Sequence, residues 1–202
     1  MRDPYLYDDV PVLKNLLGIK DAELLERAEA DITAFYFSDV DGALQSHLFD
    51  LHHLLAVHKY IFGDIYEWAG QTRTIPIIKG ENILGGDTVR YSHPNEIERD
   101  CETVLSELIS VNWKIIGVNE TAELFTRYIA RLWQIHPFRE GNTRTIVTFA
   151  TQFAEANSFR MDKTLLKDNA SYVRDALVKA SDGQYSDYKY LTKIFMDAIR
   201  RG

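Results

Sequence analysis

The sequence contains one cysteine, Cys101, among 202 residues, so no disulfide can form within the chain. A lack of disulfides is typical of a reducing cytosol, although effectors that pass between two cytosols have the same composition. No apolar run reaches the roughly 18 residues that a membrane-spanning helix needs. The amino terminus also lacks the apolar core of a signal peptide. We therefore expect a soluble, cytoplasmic protein with no membrane partner, and export as an effector stays open.

Basic charge is scarce as well. The chain has 23 lysines and arginines against 30 aspartates and glutamates, which gives a formal net charge of −7. Proteins whose main ligand is nucleic acid usually present a basic face or tail. The acidic balance therefore predicts no nucleic-acid partner. The sequence also lacks repeats, low-complexity tracts and convincing linkers, so we expect a single domain over residues 1–202.

Most of the chain shows apolar residues at helical spacing. Asp21 is a candidate N-cap for the first helix, and Gly70 is a candidate end for the second. The segment TRTIPIIKG and the paired glycines that follow it lack this spacing and predict a β-hairpin or loop over residues 73–93. The expected fold class is all-α, a helical bundle with a small β-hairpin. The predicted helices cover residues 22–37, 44–70, 94–111, 121–135, 143–157, 167–180 and 186–199.

One segment, IHPFREGNTR at residues 135–144, concentrates chemically useful groups between two predicted helices. Successive backbone N–H groups at a helix N-terminus form an anion site that the helix dipole strengthens. Gly141 lets the backbone approach a phosphate closely, and Asn142 tolerates the left-handed conformation that such a nest needs. Arg144 could hold phosphate oxygens through its planar guanidinium. The segment predicts a phosphate site.

Two more residues of this segment suit a phosphate-transfer reaction. Glu140 could bind Mg²⁺, which proteins usually hold through one or two carboxylates together with substrate phosphates. His136 titrates near neutral pH and could take a proton from an incoming hydroxyl. Alone, a histidine before a proline is usually an ordinary loop residue, and Glu-Gly-Asn is usually a turn. Their combination within one loop is what indicates a catalytic site.

Residues 136–144 match the signature of the Fic domain, HxFx[D/E]GNxR, at every defining position. Upstream, residues 53–80 resemble the helix and flap segment of that family, and residues 12–19 resemble its amino-terminal segment. The resemblance extends from about residue 5 to beyond residue 180. It implies the Fic fold, in which residues 73–93 (the flap) stand beside residues 136–144 (the catalytic loop).

The resemblance also implies an activity, because most Fic proteins are adenylyltransferases. The expected reaction transfers AMP from Mg-ATP to a tyrosine, threonine or serine hydroxyl of a target protein, with auto-AMPylation. ATP is then the substrate and Mg²⁺ the cofactor. His136 would act as the general base and Glu140 as the Mg²⁺ ligand, while Phe138 would anchor the loop in the core. The implied phosphate contacts come from Gly141, Asn142, Thr143 and Arg144, with Arg144 at the leaving pyrophosphate.

The flap of related proteins pairs with an extended stretch of the target, which is recognition by strand addition. The candidate flap contacts in this chain are Lys79, Gly80 and Tyr91. In related proteins the adenine lies against a later helix, where Tyr172 and Ser181 occupy similar positions.

The chain departs from the family pattern at two positions. Thr143 replaces a common glycine, and Val147 replaces a second arginine that usually contacts the γ-phosphate. The loss of that contact would weaken ATP binding by about 1.5–3 kcal/mol. Many Fic proteins also carry an inhibitory motif, [S/T]xxxE[G/N], whose glutamate pairs with the second arginine. The motif is not recognisable here, so we expect no autoinhibition of this kind; a separate antitoxin and a homo-oligomer both stay open.

Two alternative functions remain, which are transfer of another phosphate-containing group and a degenerate, non-catalytic Fic module that serves as a binding or toxin–antitoxin component. A zinc site is a further possibility, because four histidines lie close together in the sequence. No cysteine or suitably spaced acid completes such a site. Ring hydrogen bonds within the helix packing are the better interpretation of this cluster, which consists of His47, His52, His53 and His58.

Overall fold

A computed structural model describes residues 3–45 and 48–201, so His47 lies outside the described residues. Within these ranges the chain folds into nine α-helices and one two-stranded sheet. None of the described helices is long and apolar enough to cross a membrane. The helices are α1 (Ala22–Phe37), α2 (Val40–Ala43), α3 (Leu51–Phe62), α4 (Ile97–Ser110), α5 (Val118–Ile135), α6 (Asn142–Ala156), α7 (Lys163–Asp168), α8 (Ala170–Ala180) and α9 (Lys189–Ala198).

The larger core surrounds α5, which packs against α4, α6, α8 and α9. Aromatic rings dominate its centre: Phe125 on α5 contacts Phe153 on α6, Phe195 on α9 and Trp113. All four rings are almost fully buried. Truncation of a buried phenylalanine to alanine typically costs about 3–5 kcal/mol. Because α5 and α6 share this core, the loop between them has rigid supports on both sides.

A smaller core joins α1, α3 and the N-terminal arm, residues 3–14. Val12 of the arm packs with Leu25 of α1 and with Ile61 and Phe62 of α3. Backbone hydrogen bonds also fold the arm onto itself, as between the amide of Lys14 and the carbonyl of Tyr5 at 2.8 Å. This cluster places α1 and the end of α3 beside the start of α6.

The fold class predicted from the sequence is confirmed, because the described chain is mostly helical and has a small hairpin-like flap. The flap contains a single antiparallel bridge, between Gly80 and Thr88, and a 3₁₀ turn at Asn82–Leu84 lies between them. Regular strand pairing occurs elsewhere, where β1 (Phe159–Met161) runs antiparallel to β2 (Ile199–Arg201). The sequence did not predict these strands, since each has only three residues.

Two predicted helices are shorter in the structure. The helix expected to end at Gly70 stops at Phe62, because Gly63 caps it and turns lead on to Gly70. The helix expected over residues 167–180 is interrupted at Asn169, whose φ of −113° and ψ of 27° are not helical.

Candidate active site

His136 ends α5 in the left-handed region, with φ 54° and ψ 60°. Such a conformation is uncommon for a residue other than glycine. Its backbone amide donates to the carbonyl of Trp133 at 3.0 Å, which caps the helix. The imidazole lies between two aromatic rings, 4.2 Å from the centroid of Tyr91 and 5.2 Å from that of Trp133. The residue is only 7% exposed, so its ring is confined.

Burial, together with the positive charges of Lys79 and Arg73, lowers the pKa of His136 from its ordinary value to about 3. The imidazole is therefore neutral at pH 7. A neutral imidazole keeps one nitrogen that can accept a proton. Among the described residues, the buried Nδ1 has no hydrogen-bond partner. The ring thus has the protonation state that a general base requires.

Helix α6 begins beside this histidine, with Gly141 as its N-cap at φ 80°. A Cβ built at Gly141 would lie 2.4 Å from Cζ of Phe62, so the packing excludes any side chain here. The first turn of an α-helix leaves its backbone N–H groups without intrahelical acceptors. The family resemblance places the anion site on the backbone of residues 141–143, but the amide of Gly141 donates to Oε1 of Glu140. The N–H groups of residues 142–144, at the positive end of the helix dipole, are therefore the candidate anion site.

The side chain of Asn142 has a different role from the one predicted. It is buried, its Oδ1 accepts from the amide of Phe138 at 2.8 Å, and its Nδ2 donates to the carbonyl of Phe138 at 2.8 Å. Both ends of the side-chain amide are therefore used within the loop. The prediction of a phosphate contact is corrected to the backbone N–H of Asn142, while the side chain holds the loop closed.

Thr143 does not obstruct this helix start. Its Oγ1 accepts a hydrogen bond from Nε1 of Trp133 at 2.9 Å. The hydroxyl therefore serves a buried indole N–H that would otherwise lack a partner, and such a lack costs about 1–3 kcal/mol. A threonine in place of glycine is compatible with the site.

Glu140 and Arg144 complete the loop. Glu140 is partly exposed, and its Oε1 accepts from the amide of Gly141 at 2.9 Å. The same oxygen lies 3.8 Å from Nη2 of Arg144. No group of three or more His, Cys, Asp or Glu residues that could hold a metal occurs within residues 3–45 and 48–201. One carboxylate acting with substrate phosphates fits Mg²⁺, which seldom needs a full set of protein ligands.

These groups open into one cavity of about 730 Å³. This volume falls within the usual range of small-molecule sites, about 300–1,000 Å³. The arrangement therefore brings a neutral imidazole, a carboxylate and a helix start into one space. The lining residues are Asp3, Ile75, Pro76, Ile77, Ile78, Lys79, Trp133, His136, Arg139, Glu140, Gly141, Asn142, Thr143, Arg144, Ala170, Ser171 and Arg174.

The sequence model of the Fic/DOC family matches residues 48–154, which is more than half of the chain. The chain belongs to the Fic/DOC family. The resemblance found in the sequence is confirmed. The match covers the catalytic loop, the flap, and the helices α3 to α6 that support them.

Named relatives agree with this assignment. The protein adenylyltransferase VbhT of Bartonella schoenbuchensis is 35% identical to this chain, and the alignment covers 79% of this chain and 32% of VbhT. The probable protein adenylyltransferase y4lH of Sinorhizobium fredii is 32% identical, with 91% of this chain and 90% of y4lH covered. An ADP-bound crystal structure of the N-terminal Fic domain of a VirB-translocated Bep effector protein from Bartonella quintana is 25% identical. Its TM-score is 0.79, with 98% of this chain and 94% of that chain covered.

The predicted target contacts of the flap lie in different places. Lys79 lines the cavity, whereas Gly80 lines a second cavity of about 490 Å³ on the flap. The ring of Tyr91 packs on the imidazole of His136, and its hydroxyl donates to Oε1 of Glu81 at 3.4 Å. Tyr91 therefore supports His136, and the contact of these three residues with a target stays a prediction.

The predicted adenine contacts lie outside this cavity. Ser181 is fully buried and donates to the carbonyl of Ala130 at 3.1 Å, and Tyr172 is 70% exposed; neither lines the cavity. Helix α8 contributes Ala170, Ser171 and Arg174 to the cavity.

Sequence reasoning missed the role of Arg73, although the Arg-Thr pair at this position is part of the family resemblance. Arg73 is 2% exposed, and its side chain donates four hydrogen bonds to backbone carbonyl oxygens. Its Nη1 donates to Ile75 at 2.7 Å and its Nη2 to Ser92, at the two ends of the flap. Its Nε donates to His136 at 2.8 Å. Arg73 therefore joins the flap to the catalytic loop.

His58 supports the catalytic loop through a hydrogen bond and a ring contact. Nδ1 of His58 accepts from the amide of Gly70 at 2.8 Å, so Nε2 carries the proton and donates to the carbonyl of Glu140 at 3.1 Å. Its ring stacks on Phe138 with centroids 3.8 Å apart. Burial lowers the pKa of His58 to about 3. Ring hydrogen bonds, rather than zinc binding, account for this histidine and for His53, whose Nε2 lies 2.9 Å from Oε1 of Gln152.

Proposed function

We propose that this Fic domain transfers AMP from Mg-ATP to a tyrosine, threonine or serine hydroxyl of a target protein, and to itself. One observation carries the proposal: the neutral imidazole of His136 opens into the same cavity as the N-terminal amides of α6. A base and a phosphate cradle side by side suit attack of a hydroxyl on a phosphate. The adenylyltransferase relatives and the ADP-bound Fic domain support this reading.

In the proposed reaction, His136 accepts the proton of the target hydroxyl as the hydroxyl oxygen attacks the α-phosphorus of ATP. A new P–O bond forms, the bond to the β-phosphate oxygen breaks, and pyrophosphate leaves. The amides of residues 142–144 stabilise the charge on the phosphate oxygens, and Arg144 stabilises that on pyrophosphate. Glu140 would hold Mg²⁺, which when bound neutralises part of the triphosphate charge.

The target is proposed to bind along the flap by strand addition. The flap has a single internal bridge, and residues 75–79 line the cavity next to it. Ile78 is 87% exposed and offers an apolar contact for an incoming strand. Of the three predicted flap contacts, Lys79 is the one that lines the cavity. A target bound in this way could bring its hydroxyl to His136. The proposed cellular location of the reaction is the cytoplasm.

The proposal extends to regulation. Val147 packs against the larger core and cannot pair with an inhibitory glutamate as an arginine would. We expect activity without removal of such a glutamate, and any antitoxin or second copy of the chain would need another anchor. Because the chain spans about a third of VbhT, the partners of VbhT are not transferred to it.

Labelled ATP tests the proposal directly. The chain is incubated with Mg-ATP that carries a radioactive label at either the α- or the γ-phosphate, alone and with a cell lysate. AMP transfer predicts protein label from the α-phosphate, which disappears in His136→Ala. The exposed histidine His52 provides a matched control, because His52→Ala should keep full labelling.

The other outcomes identify the alternatives. Label from the γ-phosphate alone indicates transfer of phosphate instead of AMP. No label from either position, with ATP still bound, indicates a non-catalytic binding module. Omission of Mg²⁺, or the substitution Glu140→Ala, should reduce α-labelling if Glu140 holds the ion.

A further inference from the structure

Arg144 is held by side chains of α1. Its Nη2 donates to Oε1 of Glu29, and its Nη1 lies 3.4 Å from Oγ1 of Thr33. Both partners lie on α1, far from Arg144 in the sequence. The guanidinium carbon also lies 4.7 Å from the centre of the Phe62 ring, which supports the face of the group. Helix α1 therefore determines the orientation of an arginine on α6.

The carboxylate of Glu29 is itself held in place. Its second oxygen accepts from the hydroxyl of Tyr66, and both side chains are largely buried. Burial and the neighbouring Glu29 charge raise the pKa of Tyr66, so the phenol stays protonated and remains a donor. Each oxygen of the carboxylate thus has a partner from a different segment. Glu29 is a fixed support for Arg144.

The remaining part of Arg144 faces the cavity. A guanidinium has five N–H groups, and the bonds to Glu29 and Thr33 use two of them. The side chain is 31% exposed and lines the cavity beside Glu140, whose Oε1 lies 3.8 Å from Nη2. The bonds to α1 therefore restrain a guanidinium that lines the proposed phosphate cavity.

We propose that Glu29 is a positioning residue for adenylyl transfer, because it holds the guanidinium of Arg144 in the orientation that meets the leaving pyrophosphate. The inference rests on the proposed function and deepens it. Group transfer depends on placement, and a displacement of about 1 Å can cost roughly 100-fold in rate. Without Glu29 the long Arg144 side chain samples other rotamers, so its contact in the transition state is lost more often.

The opposite role makes the opposite prediction. If Glu29 merely competed with the phosphates for Arg144, its removal would free the arginine and strengthen ATP binding. Removal of a negative charge near the triphosphate acts in the same direction. A positioning role predicts a fall in kcat, whereas competition predicts a rise in kcat/KM. The sign of the change therefore decides between them.

The test measures AMP transfer by Glu29→Ala and Glu29→Gln over a range of ATP concentrations. Glu29→Ala should lower kcat by about 10- to 100-fold, with a much smaller change in the KM for ATP. Glu29→Gln should recover most of that loss, since its amide oxygen still accepts from Arg144. Glu23→Ala is the control on the same helix, because Glu23 is exposed and its carboxylate lies 3.8 Å from the exposed guanidinium of Arg27. A rise in kcat/KM for Glu29→Ala would overturn the proposal.

A double-mutant cycle shows whether Glu29 acts through Arg144. In an Arg144→Ala background, Glu29→Ala should cause no further loss of kcat. Losses that multiply would mean that Glu29 acts elsewhere and would reject the proposal. Tyr66→Phe is a milder variant that leaves no cavity, and it should lower kcat by a few-fold in the same direction.

A spectroscopic measurement separates this proposal from the proposed function. In ¹⁵N spectra of the whole chain, the Nη groups of Arg144 should rotate slowly in the unmodified protein and freely in Glu29→Ala. This readout needs no transfer activity. Unchanged rotation would refute the support of Arg144 by Glu29, even if AMP transfer is observed. Slow rotation in a chain that transfers no AMP would instead count against the proposed function.

Discussion

Nε of Arg73 donates to the carbonyl oxygen of His136 at 2.8 Å. The bond holds the backbone of a residue whose left-handed conformation is intrinsically costly, by about 1–3 kcal/mol for such sites. The amide of Arg73 also donates to the carbonyl of Pro137 at 2.8 Å, so two bonds fix the same turn. One buried cation therefore maintains the orientation of the proposed base.

Substitution of Arg73 should affect both stability and rate. Arg73→Met leaves several buried carbonyls without a donor, and we expect a loss of about 2–3 kcal/mol in the free energy of unfolding. We also expect a fall in kcat larger than that of Arg73→Lys, which retains the charge and can still reach one or two carbonyls. Urea unfolding and AMP-transfer kinetics measure the two effects. Arg131→Met is the control, since Arg131 pairs with Glu107 at the surface; equal losses at the two positions would contradict the prediction.

Gly141→Ala should disable the anion site. The new Cβ would lie 2.4 Å from Phe62, and the positive φ of 80° disfavours alanine as well. Overpacking costs about 1–3 kcal/mol, and displacement of the helix start should also abolish AMP transfer. Gly18→Ala separates the two causes, because Gly18 has a similar φ of 68° but has no atom within 4 Å of the added Cβ. If the two variants lose equal stability, the close contact between the added Cβ and Phe62 does not contribute to the loss of stability in Gly141→Ala.

The catalytic loop was predictable because its groups are contiguous in the sequence. His136, Glu140 and the glycine at a helix start fall within one turn and one loop, so local rules suffice. The supports of that loop were not predictable. Glu29 reaches Arg144 across 115 positions, and Arg73 reaches His136 across 63, through contacts that only tertiary packing creates.

The adenine contacts could not be placed from the sequence for a related reason. Tyr172 and Ser181 were taken from similar positions in related proteins, and such a correspondence carries no information on burial. Ser181 is fully buried and donates to the carbonyl of Ala130, whereas Tyr172 is 70% exposed. Tertiary packing decides which residues of α8 line the cavity.

The flap should loosen when its pair with α8 is broken. Nη2 of Arg174 donates to both carboxylate oxygens of Glu81, at 2.9 and 2.8 Å, and the carboxylate is buried. Tyr91 donates to the same carboxylate and packs on His136. Glu81→Gln weakens this connection, and we expect a rise in the KM for the target that exceeds any rise in the KM for ATP. The comparison is Asp175→Asn on the same helix, because the partly exposed Asp175 lies 3.9 Å from Nη1 of the same arginine without a hydrogen bond to it. Similar effects of the two substitutions would argue against the prediction.

Stability should fall as the pH drops below about 6.5, because two buried histidines must stay neutral in the folded state. The pKa values of His58 and His136 are both lowered to about 3 by burial. Unfolding returns them to about 6.5. Between these values the unfolded chain binds more protons than the folded chain, so the free energy of unfolding decreases with falling pH. Each histidine contributes at most about 1.4 kcal/mol per pH unit across this window.

Urea unfolding at pH 7.5, 6.5, 5.5 and 4.5 measures this slope. At pH 7.5 and above both histidines are mostly neutral in either state, so their contribution to stability should be nearly constant there. Between pH 6.5 and 4.5 the slope should be shallower in His136→Ala, which has one buried imidazole fewer, whereas His52→Ala should leave it unchanged because that histidine is exposed. A slope identical in His136→Ala and the unmodified chain would mean that His136 is protonated as readily in the folded state as in the unfolded state. The neutral base on which the transfer reaction depends would then have to be sought elsewhere.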